Sequence, residues 1–186
     1  MSRTTASETS PGNITRNSRR KFPVNGQKQN IPFIQIADVE HLLDWTDVTD
    51  ALISGHILEP ADIDDIMFKH DQGTLLNRAA WVQGLGIGVK TATIFPGNSQ
   101  LEPSLPNVHA VFTLFNDKTG VPVAMIDGDM VTRWKTAGDS VLGARLLARA
   151  DSKSLLIVGA GVVAQSLIEA YSAVFTGLER ISIWNR

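Results

Sequence analysis

The sequence predicts an α/β protein in two unequal parts, a β-rich segment followed by a strand, glycine turn, helix and strand. Three observations carry that expectation. Residues 155–158 (Leu-Leu-Ile-Val) form a continuous apolar run, the pattern of a parallel strand covered on both faces. Gly159-Ala160-Gly161 follows at once and opens a stretch in which Val163, Leu167, Ala170, Tyr171 and Val174 recur at helical spacing, with Gly177 placed to end the helix. Upstream, from Thr74 to Ile126, short apolar stretches alternate with breaks rich in Gly, Pro and Asn, as strands and turns do.

In chain order, residues 1–30 are rich in Ser, Thr and Arg with almost no apolar residues, and read as a disordered tail. Residues 31–36 read as a short strand, which Pro32 confines to a sheet edge. Asp38 is a candidate N-cap for a short helix carrying Val39, Leu42 and Leu43, and Thr46 for a second one ending at Gly55. Residues 59–73 are acidic and irregular. Asp62, Asp64 and Asp65 lack calcium-loop spacing, so the segment is expected to be a solvated helix start and not a metal site. Residues 75–81 and 87–95 read as strands around the turn Gly84-Leu85-Gly86, the second placing Lys90, Ala92 and Ile94 on one face. Pro96-Gly97-Asn98 breaks it. Strands over 108–115 and 121–126 follow, joined through Asn116 to Gly120, a hairpin with Gly where positive φ is needed. Asp127-Gly128-Asp129 turns the chain into a helix from about Thr132 to Arg149, whose narrow stripe of Ala137, Val141, Ala144 and Ala148 suits close packing.

The glycine turn carries the chemistry. Gly159 allows a tight turn, Gly161 lets backbone approach a phosphate, and Ala164 takes the third small position of G-x-G-x-x-G/A, the fingerprint of a Rossmann dinucleotide-binding unit. A helix starting there aims the bare amides of residues 159–164 and its positive dipole end at an anion. The second strand, Ile181 to Trp184, ends at Asn185-Arg186, where an NAD site usually has an acid. An amide and a guanidinium suit a 2′-phosphate, so NADP(H) is favoured over NAD(H). Catalysis is expected beyond the carboxyl end of strand 155–158, in a cleft facing the β-rich part. A dinucleotide fold needs two βαβαβ halves and only the first β-α-β of the first half is present, so the chain is expected to be truncated, or one piece of a longer protein.

Composition narrows the alternatives. The 186 residues are 43% hydrophobic and 19% charged, with net charge −2. The first 30 residues carry +5 and the remainder −7, and an acidic body argues against nucleic-acid binding. No cysteine is present, which excludes disulfides, thiolate metal sites and a Cys nucleophile. No apolar run approaches the roughly 18 residues of a membrane span, and the N-terminus lacks the apolar region of a secretory signal. The four histidines show no zinc spacing, and His109 reads as a packed strand residue. A cytoplasmic location is expected.

The ordered motifs Gly88-Val89-Lys90, Phe95-Pro96-Gly97-Asn98, Thr119-Gly120-Val121-Pro122 with Asp127-Gly128, Thr132-Arg133-Trp134-Lys135-Thr136-Ala137-Gly138, and Gly159-Ala160-Gly161 with Trp184-Asn185-Arg186 resemble the ornithine cyclodeaminase and mu-crystallin family over about residues 31–186. The resemblance implies a β-rich dimerisation and substrate domain (31–131), a connecting helix (132–152) and the start of an incomplete Rossmann domain (153–186). It also implies a homodimer and NAD(P)-dependent chemistry on small amino or imino acids. Lys90 matches the lysine of the family's G-V-K motif, which lies beside the substrate and could hold a carboxylate or, its pKa lowered by burial, exchange a proton. Lys135-Thr136 stands where the family has Arg-Thr, the cation on substrate carboxylate and the threonine by the cofactor phosphates. Lys in place of Arg loses a bidentate fork, and Arg78 is a candidate for the missing guanidinium. Cofactor contacts are expected from Thr136, Gly159, Ala160, Gly161, Val162, Val163, Asn185 and Arg186, with no metal.

The function so implied is a ketimine reductase or an ornithine cyclodeaminase. Two other readings stand beside it: a non-catalytic NADPH-binding or dimerisation module of mu-crystallin type, and a dehydrogenase of the shikimate or quinate type.

Overall fold

A computed structural model describes residues 30–186; the disordered tail expected over residues 1–30 falls, Asn30 apart, outside them. The β-rich segment is a six-stranded sheet in the order β1-β6-β5-β4-β3-β2. Its strands are β1 (Phe33–Ile34), β2 (Asp62–His70), β3 (Gly73–Val82), β4 (Gly86–Ile94), β5 (Val108–Phe115) and β6 (Pro122–Asp127). β2 to β6 form an antiparallel meander, and β1 adds to β6 in parallel at the edge. Pro32 suits that position: its carbonyl accepts from Met125 N at 2.9 Å, and its missing N–H leaves no gap in the ladder. The hairpin between β5 and β6 turns at Gly120 with φ +67°, as its sequence predicts.

Four expectations of element type, capping and boundary need correction. The acidic segment expected to start a helix is β2, paired along its whole length with β3. Its aspartates sit on an exposed edge strand, where charges discourage pairing with other chains. The second helix is capped by Asp44 and not Thr46: the Asp44 carboxylate accepts from Thr46 N at 2.7 Å and Asp47 N at 3.3 Å, and α2 runs Trp45–Ile57. Asp38 lies inside the short α1 (Ile36–Val39), where its carboxylate accepts from Gln35 N, so Gln35 is the cap. The long helix begins four residues early. Asp127 caps α3 (Gly128–Leu147) by accepting from Asp129 N at 2.8 Å and Met130 N at 3.3 Å.

The core lies among helices. α4 (Val162–Val174) and α2 both pack on α3, and Trp45, Ala137, Val141 and Ala170 are buried between them. Trp45 lies against Trp134 with ring centroids 4.0 Å apart. The small side chains of α3 let its neighbours approach closely: a Cβ on Gly138 would lie 3.1 Å from Leu52 and Val48 of α2. α3 leads into β7 (Ser154–Val158), which pairs in parallel with β8 (Arg180–Trp184) across α4. Here the expectation of a strand covered on both faces fails. Ile157 is 6% exposed, but Leu156 and Val158 are 63% and 69% exposed, because no described element packs on their side. α4 closes at Val174, and Gly177 lies in the turn just beyond.

Candidate functional site

The glycine turn is open and four of its amides are unspent. Gly159 has φ +111°, a backbone geometry that favours glycine. A Cβ placed on Gly159 or Gly161 would meet nothing within 4 Å. Gly161 is the N-cap of α4 and offers no side chain to its first turn. Among the described residues the amides of Ala160, Gly161, Val162 and Val163 have no carbonyl partner. Four free donors at a helix N-terminus, with open space beside Gly159 and Gly161, fit a pyrophosphate. The expected run of bare amides is shorter at both ends: Ala164 N donates to Gly161 O at 2.9 Å within the first turn, and Gly159 N donates to Trp184 O at 2.7 Å, which brings Asn185 and Arg186 beside the turn.

Lys90 lies at the junction of sheet and helix. Cross-strand partners share a face, so the register places Asp65, Arg78, Lys90, Phe112 and Ile126 in one row on the face covered by α3. The Lys90 Nζ donates to Thr132 Oγ1 of α3 at 2.6 Å. Burial pushes the Lys90 ammonium below the ordinary lysine value; the negative charge of Asp129 partly opposes this, and the positive charge of Lys135 adds to it. A part-buried amine with a lowered pKa, held on a strand, can both bind a carboxylate and surrender a proton.

The other predicted residues fall around this pair unequally. Lys135 is one turn along α3 from Thr132, is 63% exposed and pairs with Asp139, four residues on. Thr136 follows it on the exposed side of the same helix. Arg78 is on Lys90's face but its guanidinium is already forked on Asp65, with Nε and Nη2 donating at 2.6 and 2.5 Å. That pair holds the Asp65 carboxyl below the usual aspartate range, and leaves Arg78 Nη1 for another acceptor. Sequence reasoning assigned no role to three residues here. Thr132 stands 42 positions from Lys90, Asp129 biases the lysine, and Arg133 ties α3 to α4 through Glu169 at 2.6 Å. Pairs so far apart leave no periodic trace in a sequence. Among the described residues no group of three His, Asp or Glu could hold a metal ion, and no helix is long and apolar enough to cross a membrane.

Comparison with known proteins adds to this geometry. The model of the ornithine cyclodeaminase/mu-crystallin family matches residues 53–186. The Delta(1)-pyrroline-2-carboxylate reductase of Paracoccus denitrificans is 47% identical over 161 residues, covering 86% of this chain and 50% of the relative. Among solved structures, an archaeal alanine dehydrogenase dimer with bound NAD superposes with TM-score 0.73 at 24% identity, over 83% of this chain and 48% of that one. The Delta(1)-pyrroline-2-carboxylate reductase of Thermococcus litoralis, in complex with NADH and L-proline, gives TM-score 0.68 at 24% identity, over 83% and 49%. The two structures show that the fold is shared. The chain spans about half the length of the relatives it matches.

Proposed function

Because the chain belongs to the ornithine cyclodeaminase/mu-crystallin family, we propose that the whole protein is an NAD(P)-dependent enzyme that reduces a small cyclic imino acid, of the Delta(1)-pyrroline-2-carboxylate kind, to the amino acid. The observation that carries this reading is Lys90, a part-buried amine held at the sheet and helix junction with Lys135 near enough to lower its pKa. The name of the 47% identical relative supports the reductase over the cyclodeaminase. When bound, a reduced dinucleotide would supply the hydride for the imine carbon. The chain's own residues then have two tasks. Lys135, and Arg78 through its remaining Nη1, hold the substrate carboxylate; Lys90 gives the proton that the nitrogen needs as the C=N bond becomes CH–NH.

The amides of residues 160–163 are assigned to the pyrophosphate, with Thr136 beside it. Asn185 and Arg186 are assigned to a 2′-phosphate, which favours NADP(H) over NAD(H). The division of the chain into a substrate part, the connecting helix α3 and a dinucleotide part, and a cytoplasmic location, belong to the same proposal. So does a homodimer formed through the sheet face opposite Lys90. That face presents Phe68 and Trp81, 58% and 46% exposed, together with Ile66 and Met125, an apolar surface of the kind that subunits cover. The test is loss of NADPH absorbance when the full-length protein meets Delta(1)-pyrroline-2-carboxylate, with formation of proline. Turnover of ornithine to proline and ammonia with catalytic NAD+ would move the assignment to the cyclodeaminase, and tight NADPH binding with neither turnover would move it to a binding protein.

A further inference from the structure

Thr132 is polarised by its own helix. One turn upstream the Gly128 carbonyl accepts the Thr132 hydroxyl proton, Oγ1 to O at 2.7 Å, and a carbonyl can only accept. The hydroxyl therefore meets Lys90 with lone pairs alone, and Lys90 Nζ must be the donor across the 2.6 Å contact. The carbonyl is itself held in place, because Gly128 rests on the β5 backbone so closely that a Cβ there would lie 2.4 Å from Ala110. The hydrogen bonds from Lys90 to Thr132 and from Thr132 to Gly128 thus run with one polarity, and close packing of Gly128 on Ala110 anchors their accepting end. If Thr132 could donate, it would compete for the lone pair of a neutral Lys90. Bound as it is, it takes one N–H and leaves the rest of the amine, two N–H when charged or one N–H and the lone pair when neutral, for other partners.

We propose that Thr132 is a positioning residue: it fixes the Lys90 amine as a donor toward the helix and so keeps the amine's exchangeable proton available to the substrate. The proposal rests on the assignment of Lys90 to proton transfer. The charged groups facing Lys90 are Asp129 and Lys135 from α3, Arg78 from β3 and, forked with it, Asp65 from β2; Phe112 from β5 is uncharged. None of them supplies the acceptor that Thr132 does.

The experiment compares Thr132→Val, which keeps the shape and removes the acceptor, with Thr132→Ser, which keeps the hydroxyl. Lysine Cε and Nζ chemical shifts are followed against pH by NMR in the full-length protein, with Lys90 identified by its loss in Lys90→Arg. Removing an acceptor from the ammonium disfavours the charged form, so the Lys90 pKa falls by about 1 in Thr132→Val and returns to the wild-type value in Thr132→Ser. With the ketimine and NADPH, Thr132→Val loses roughly ten- to hundredfold in kcat with the KM for NADPH unchanged, and Thr132→Ser stays within about threefold of wild type. An unchanged Lys90 titration in Thr132→Val overturns the proposal, as does a serine variant no better than the valine one. If the wild-type protein turns over no ketimine, the assigned reaction falls, while the titration still decides what Thr132 does.

Discussion

Gly128→Ala tests whether the start of α3 is as tightly seated as the geometry requires. The added Cβ would lie 2.4 Å from the Ala110 carbonyl carbon and Cβ, where ordinary contact begins at 3.4 Å, so helix or strand must yield by the difference, close to one ångström. The atoms met are backbone and a short side chain, which cannot rotate away. Overpacking of this kind costs about 1–3 kcal/mol. An opposing gain comes from replacing glycine in a helix, worth about 1 kcal/mol in an interior position. Gly143→Ala isolates that gain, since its Cβ would meet nothing within 4 Å in the same helix. The two variants should therefore differ by the overpacking cost alone, about 1–3 kcal/mol, and at roughly 2–4 °C per kcal/mol for a domain of this size Gly128→Ala melts about 2–12 °C below Gly143→Ala. Thermal unfolding followed by circular dichroism reads the difference directly. Melting within about 2 °C of each other would refute the account of the α3 to β5 contact, and with it the fixed carbonyl on which Thr132 depends.

Two further predictions address the lysine and the open sheet face. Burial lowers the Lys90 pKa in the folded state, so between that value and the ordinary lysine value of about 10.4 the unfolded chain binds more protons and stability rises with pH. The penalty is fully present below the folded value. The melting temperature of wild type relative to Lys90→Met should therefore climb as pH rises from 7 toward about 10, and a flat difference would show that the amine is not desolvated. Phe68→Glu combined with Met125→Glu places charge on the sheet face opposite Lys90; sedimentation should show dimer for wild type and monomer for the double variant, with NADPH affinity retained, and a wild-type monomer would reject the dimer.

What the sequence made legible was whatever is local. The hairpin at Gly120 and the strand, turn and helix from Ser154 to Val174 follow from a few adjacent residues, so both were readable. Membership of the family removes the shikimate-type reading, which rested only on a shared order of parts. β2 was misread because Asp62, Asp64 and Asp65 look like a helix start until β3 is known to pair with them. Helix caps were misplaced by a few residues because Asp44 and Thr46 are both good caps, and only the backbone path decides which oxygen reaches the free amides. The strand 155–158 looked fully buried from composition, yet burial depends on what packs against it. At the site, Lys90 was visible in its motif, but its partner Thr132, its bias from Asp129 and the fork of Arg78 on Asp65 are products of strand register and helix docking.

The central claim is that the bare amides of residues 160–163 grip a dinucleotide pyrophosphate. Calorimetric titration of NADPH into wild type and Gly161→Asp tests it most directly, because a side chain at Gly161 meets nothing within 4 Å and its backbone is extended, so the variant should fold and melt as wild type does. Wild type should bind saturably, and Gly161→Asp should lose at least about tenfold in affinity, from a carboxylate set against the phosphates. Equal affinity in the two proteins, or no binding by either, would contradict it.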